Sequence, residues 1–253
     1  MALLEAHQLS KHFGGLAAVN QVDIAVAAGE IVGLIGPNGA GKTTCFNLLS
    51  GFLAPTSGTI LFDGEPIVGL RPHHIVARGL VRTFQLTTLF QDMTVLQNVL
   101  MGLHLHSRRG IGQVMLNWRG YPRDELTRSH EVLAFTGLAP YASELAKNLP
   151  HGYQRTLGIA MAMATQPRLL MLDEPVTGMN VEESQHIMEL VKTIRDRGTT
   201  ILLVEHNMKA VMGTCERVVV LNFGQKLTEG TPAQVSSNRE VIEAYLGAGM
   251  EHA

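Results

Sequence analysis

The stretch Gly36-Pro37-Asn38-Gly39-Ala40-Gly41-Lys42-Thr43-Thr44 constrains this chain most, because it fits G-x-x-x-x-G-K-[ST] in a telling context. An apolar run, Ile31 to Ile35, precedes it, and a helical pattern opens near Lys42. A strand delivers such a loop, glycines let the backbone curl so that successive N–H groups converge, and the next helix aims its positive end at the same point. The product is a phosphate cradle in an α/β fold. In that cradle Lys42 reaches the β- and γ-phosphates and the Thr43 hydroxyl ligates Mg²⁺. Thr44 either touches the α-phosphate or caps the helix.

With 253 residues the chain suits one large α/β domain, or a core with a small appended lobe, and it can bury an ample interior. Two cysteines, Cys45 and Cys215, make no disulfide framework. Met1-Ala2-Leu3-Leu4-Glu5 lacks the charged start and apolar core of a leader, so the expectation is an unprocessed cytoplasmic protein. Apolar runs such as Thr200 to Val204 fall far short of the roughly 20 residues that span a bilayer. Any membrane role therefore comes through a partner. A net charge of −2 gives no overall basic field, which argues against a general nucleic-acid binder. His73-His74 and His104-x-His106 lack companions at ligand spacing, so no zinc site is expected.

Along the chain, residues 3 to 9 and 22 to 26 read as antiparallel strands around the turn Phe13-Gly14-Gly15. Phe13 either stacks on a purine base or packs in the core. Helix Lys42 to Leu49 and strand Gly58 to Phe62 follow, then a strand from Gly79 that ends in Gln85. From there the character turns helical, with a helix from Thr94 to Leu103 capped by Thr94 and another from Glu125 to Phe135 capped by Asp124. His104 to His130 is locally basic, reading as a solvated face or as a contact with a partner or anionic lipid. A helix over 153 to 165 closes this lobe. Strand Arg168 to Leu172 then runs straight into Asp173 and Glu174, as buried parallel strands deliver polar groups at their carboxyl ends. Helix 181 to 197 carries Ile187, Leu190, Val191 and Ile194 on one face. Strand Thr199 to Val204 leads to His206, and a hairpin around Gly224 and a helix from Arg239 finish the pattern.

The cradle, Gln85, Asp173-Glu174 and His206 each have a part in phosphoryl transfer. Gln85 binds Mg²⁺ and the attacking water, and Asp173 holds Mg²⁺ through a water. Glu174 orients and polarises the water that attacks the γ-phosphorus, and His206 donates to the γ-phosphate and keeps that water in line. Cys45, in the first turn after the cradle, is pulled toward thiolate by the helix end and toward inertness by burial, the latter being the expectation.

Leu149-Pro150-His151-Gly152-Tyr153-Gln154 resembles the L-S-G-G-Q signature of ATP-binding cassette (ABC) ATPases, and so does the whole series from Phe13 to His206. The resemblance implies a P-loop core with a mainly parallel sheet, an N-terminal antiparallel β subdomain and an inserted α-helical lobe. The expected boundaries are 1–87, 88–165 and 166–253. It also implies ATP and Mg²⁺ as ligands, and two cassettes that sandwich ATP between one cradle and the other's signature loop. Closure and hydrolysis then drive transmembrane permease subunits, with an extracytoplasmic solute-binding protein as an indirect partner and the chain peripheral at the cytoplasmic face. Within the family the chain is similar to ATPases of branched-chain amino acid importers, on Val81 to Gln85, Asp173 to Asn180, Val204 to Lys209 and Glu229 to Gly247. Urea and amide importers share most of these features, and lipopolysaccharide-export ATPases fewer. The competing readings are a non-transport ABC switch and a regulatory subunit that binds ATP without hydrolysing it.

The chain departs from the family pattern at Pro150, which lacks the usual serine hydroxyl and any N–H, and at His151, which replaces a glycine. Asn180 stands where the family commonly has Asp. The expectation is therefore a heterodimer with a second ATPase that carries a fuller signature, a homodimer being the alternative.

Overall fold

A computed structural model describes residues 2–83, 89–103 and 122–250. Gln85 and residues 104–121 of the basic stretch lie outside the described residues. The chain forms two units, Met1–Leu80 with Arg168–Ala253, and Val81–Pro167.

In the first unit β1 (Ala2–Phe13) and β2 (Leu16–Ala27) form an antiparallel hairpin. Both strands are longer than their apolar alternation suggests. Gln8 (φ 49°) and Gln21 (φ 51°) take left-handed backbone, and the pairing register shifts between Ala6 and Leu9. Such bulges break the period-two pattern without ending the strand. A second sheet contains β3 (Ile31–Ile35), whereas β4 (Ser57–Phe62) and β5 (Glu65–Pro66) complete the first, ordered β2-β1-β4-β5. The second sheet goes on through β6 (Leu80–Arg82), β7 (Leu169–Asp173), β8 (Thr200–Val204), β9 (Arg217–Asn222) and β10 (Gln225–Gly230), in the order β10-β9-β3-β8-β7-β6. Strands β9, β3, β8 and β7 are mutually parallel, while β10 folds back as a hairpin. Every residue of β3, β7 and β8 is buried, which is why these strands read as continuous apolar runs.

Among the described residues the α-helices are, in chain order, α1 (Lys42–Leu49), α2 (Pro72–Ala77), α3 (Val95–Gly102), α4 (Arg123–Phe135), α5 (His151–Ala164), α6 (Val181–Asp196), α7 (Met208–Thr214), α8 (Pro232–Ser236) and α9 (Arg239–Met250). Phe46, Leu48 and Leu49 of α1 share one core with Leu4, Leu9, Ile60 and Phe62 of the antiparallel sheet and with Val32, Leu34, Met171 and Leu202 of the parallel one. Each fully buried Leu or Phe contributes about 1.5–3 kcal/mol. That core fixes where α1 starts, and hence where the glycine loop ends. On α6, Ile187, Leu190, Val191 and Ile194 are all buried.

The second unit contains α3, α4 and α5 around a core that includes Val95, Val99, Leu133, Leu157 and Ala160. A Cβ at Gly102 would lie 2.4 Å from the Met161 carbonyl oxygen, so α3 and α5 approach at backbone distance. The predicted cap Asp124 is corrected here: Pro122 occupies the N-cap (φ −54°, ψ 143°), and Asp124 and Glu125 sit in the first turn. Carboxylates there face the positive end of the helix. Helix α5 likewise begins at His151, two residues before the predicted start, with Pro150 as N-cap (φ −53°, ψ 151°). Proline costs nothing at that position, since its fixed φ suits a helix entry and the helix asks no N–H of it.

Candidate active site

The parallel sheet brings three loops to one end, following β3, β7 and β8, which are neighbours in the order β3-β8-β7. The first is the glycine loop. Gly36 has φ 153° and Gly41 φ 92°, and added Cβ atoms would fall 2.2 Å from the Leu221 carbonyl oxygen and 2.3 Å from that of Ala18. The loop is thus pinned between β9 and β2 with no room for side chains. Lys42 is 5% exposed, and its Nζ donates to the carbonyl oxygens of Gly36 (2.7 Å) and Pro37 (2.8 Å). Burial pulls the Lys42 ammonium below its usual pKa range, while the negative charge of Glu174 opposes that shift.

The second loop starts where β7 ends. Asp173 is the last residue of the strand and is buried. Glu174 follows with φ 47°, a left-handed conformation that costs a non-glycine residue about 1–2 kcal/mol. Its N–H donates to the Val204 carbonyl oxygen of β8 (2.9 Å), which holds the turn in place. The third loop follows β8. His206 Nε2 lies 2.5 Å from Glu174 Oε1, and the Thr177 hydroxyl donates to Glu174 Oε2 (3.2 Å).

Glu205, which motif reading passed over, sits beside this pair and is 2% exposed. Its Oε1 accepts from the Val176 N–H (2.9 Å), and its Oε2 from the N–H groups of His206 (3.0 Å) and Asn207 (3.3 Å). Burial pushes its pKa up, and the three N–H donors pull against that. The signal in the sequence is a carboxylate directly after an all-apolar strand.

A cleft of about 420 Å³ opens over the glycine loop. Its walls include Asn38, Gly39, Ala40, Lys42, Thr43 and Thr44, with Ala17 and Ala18 on one side and His206 and Phe223 on others. That volume suits a small organic phosphate ligand. Phe13 is half exposed, with the Lys11 ammonium 5.3 Å from its ring centroid. It neither lines the cleft nor packs in the core. Cys45 is fully buried, and burial pushes its thiol up to about 12, so the helix end does not make it a thiolate. Among the described residues no group of three or more His, Cys, Asp or Glu is arranged to hold a metal ion. The donors at hand, a Thr43 hydroxyl and an Asp173 carboxylate, suit Mg²⁺, which keeps waters and ligand phosphates about it.

In the second unit, Leu149 is buried and Pro150 and His151 are exposed. The Gln154 side chain donates to the Leu149 carbonyl oxygen (2.9 Å), and the Tyr153 ring packs on Tyr141 at 4.8 Å between centroids. No side chain caps α5, so its first N–H groups, including that of Gly152, have no capping partner.

Residues 19–177 match the ABC transporter family, and residues 225–251 match the branched-chain amino acid ATP-binding cassette transporter family. The chain is 46% identical over 249 residues to the high-affinity branched-chain amino acid transport ATP-binding protein LivG of Escherichia coli K12, covering 97% of this chain and 98% of the relative. It is 43% identical to BraF of Pseudomonas aeruginosa, at the same coverage. The lipopolysaccharide export ATP-binding protein LptB of Haemophilus influenzae is 31% identical, over 98% of each chain. Among solved structures, an ATP-binding cassette of an ABC transporter in its ADP conformation superposes with a TM-score of 0.88 at 29% identity, covering 98% of this chain and 99% of that one. The chain belongs to the ABC transporter family as an ATP-binding subunit, an ATPase coupled to transport.

Proposed function

We propose that this chain powers an importer for branched-chain amino acids from the cytoplasmic face of the membrane. The observation that carries the reading is full-length identity of 43–46% to LivG and BraF, set against 31% to an export ATPase. The tail match at 225–251 points the same way. Among the described residues no helix is long and apolar enough to cross a membrane, and in this reading permease subunits hold the chain there.

In this reading ATP lies in the cleft with its phosphates in the glycine loop, and Lys42 moves from its own loop carbonyls to the β- and γ-phosphate oxygens. Thr43 and Asp173, with Gln85, would hold Mg²⁺, which would supply charge neutralisation to the phosphates. Glu174 takes the proton that water sheds as its oxygen bonds to the γ-phosphorus and the bond to ADP breaks. His206 holds Glu174 in line through their 2.5 Å contact. The signature loop, Leu149 to Gln154, closes the partner cassette's site. Pro150 offers no hydroxyl there, and one lost charge-assisted hydrogen bond costs about 1.5–3 kcal/mol. This asymmetry favours a second, distinct ATPase as companion.

The test is uptake of labelled leucine into proteoliposomes that hold the permeases, the solute-binding protein, this chain and the second ATPase. Leucine accumulates, isoleucine and valine compete, and urea does not. Omitting the second ATPase lowers uptake about tenfold or more. Uptake blocked by urea but not by valine would sink the assignment of the solute, and full uptake without the second ATPase would sink the heterodimer.

A further inference from the structure

We propose that Glu205 is a positioning residue for hydrolysis, a buried clamp that ties the loop carrying Glu174 to the loop carrying His206. The inference rests on the roles proposed above for those two residues. One carboxylate oxygen holds the Val176 N–H, two residues past Glu174; the other holds the N–H groups of His206 and Asn207. The clamp spans two strands, because Val176 follows β7 and Glu205 follows β8. On the first loop, the Thr177 N–H donates to the Glu174 carbonyl oxygen (3.3 Å) and the Met179 N–H to that of Val176 (3.2 Å), so a fixed Val176 fixes the turn around Glu174. On the second, Asn207 caps α7 by accepting from the Ala210 N–H (3.2 Å), so the backbone on both sides of His206 is held.

All three partners of the Glu205 carboxylate are donors. Only a group with acceptors at both ends satisfies them, because glutamine would turn an NH₂ toward at least one N–H. Aspartate keeps both acceptors but is one methylene shorter and does not reach across. At 2% exposure no water replaces a lost contact, so a broken arm frees one loop rather than rehydrating it. A freed loop separates Glu174 from His206 while the glycine loop, built on β3, stays intact.

The experiment compares wild type, E205Q, E205D and E174Q in the assembled transporter and as isolated subunits. It reads kcat, MgATP affinity, Tm and the ¹⁵N resonances of the His206 ring. E205Q and E205D lower kcat about tenfold or more, leave the MgATP Kd within about twofold, and shift the His206 Nε2 resonance. Wild-type kcat in E205Q overturns the proposal. So does a kcat and affinity that fall together in step with Tm, which a merely structural carboxylate would give. If E174Q turned over at the wild-type rate, the reading of Glu174 would fail by itself, and the His206 resonance would still judge the clamp: unchanged in E205Q, it overturns it. Where E205Q does not fold, hydrogen exchange in wild type decides. The Val176 amide, although in a loop, is protected like a strand amide, and fast exchange there overturns the clamp.

Discussion

Glu174 combines three properties that an ordinary surface glutamate lacks: left-handed backbone, a side chain 14% exposed, and a histidine nitrogen at 2.5 Å. Strain of this kind persists only where the surroundings over-determine it, here through the hydrogen bond from Glu174 N–H to Val204. The positions of Lys42, Asp173, Glu174 and His206 were legible in the sequence because each lies at or just past the end of an apolar strand or a glycine loop. Glu205 was not legible as a clamp, since one of its partners, Val176, lies on another strand's loop and only the folded sheet brings them together. Cys45 shows the limit in another form, for sequence places it at a helix start while only packing decides its ionisation. With its thiol pushed up to about 12, it stays protonated near neutral pH. We therefore expect native protein to leave Cys45 unlabelled by a maleimide with or without MgATP, and unfolded protein to label fully. Rapid, nucleotide-sensitive labelling of the native chain would contradict this.

At the scale of elements, the buried strands β3, β7 and β8 and the apolar face of α6 were readable, because periodicity and continuous apolar runs report burial directly. The long β1 and β2 were not, since glutamines rather than glycines occupy the left-handed bulge positions. The start of α4 was misread because a proline followed by acidic residues offers two plausible entries, and proline took the cap. Asn180 shows how an element tolerates a departure from its family's residue. It heads α6 in a reciprocal capping box, with Asn180 Oδ1 accepting from the Glu183 N–H (2.9 Å) and the Asn180 N–H donating to Glu183 Oε2 (3.1 Å). Asparagine and aspartate cap equally well, so N180D leaves stability unchanged. N180A costs about 1 kcal/mol. Thermal unfolding reads the difference as a drop of about 2–4 °C for N180A alone; equal midpoints for N180A and wild type would show that the box does not hold α6.

For the molecule as a whole, the first unit contains the glycine loop, both carboxylates and His206, while the second contains the loop from Leu149 to Gln154. In the proposed reading the chain binds ATP on one unit and offers the start of α5 to a partner from the other, which is the division of labour a two-cassette ATPase needs. In the proposed reading Pro150 and His151 make that end the weaker part, and Glu174 with His206 make the chain's own cradle the stronger. The measurement that tests this account most directly is MgATP turnover by the assembled transporter with wild-type chain and with E174Q, at saturating leucine-loaded binding protein. We predict that E174Q binds MgATP normally yet loses turnover about a hundredfold or more. Turnover at the wild-type rate in E174Q would contradict the account, because hydrolysis would then proceed without the carboxylate that the end of β7 and His206 hold in place.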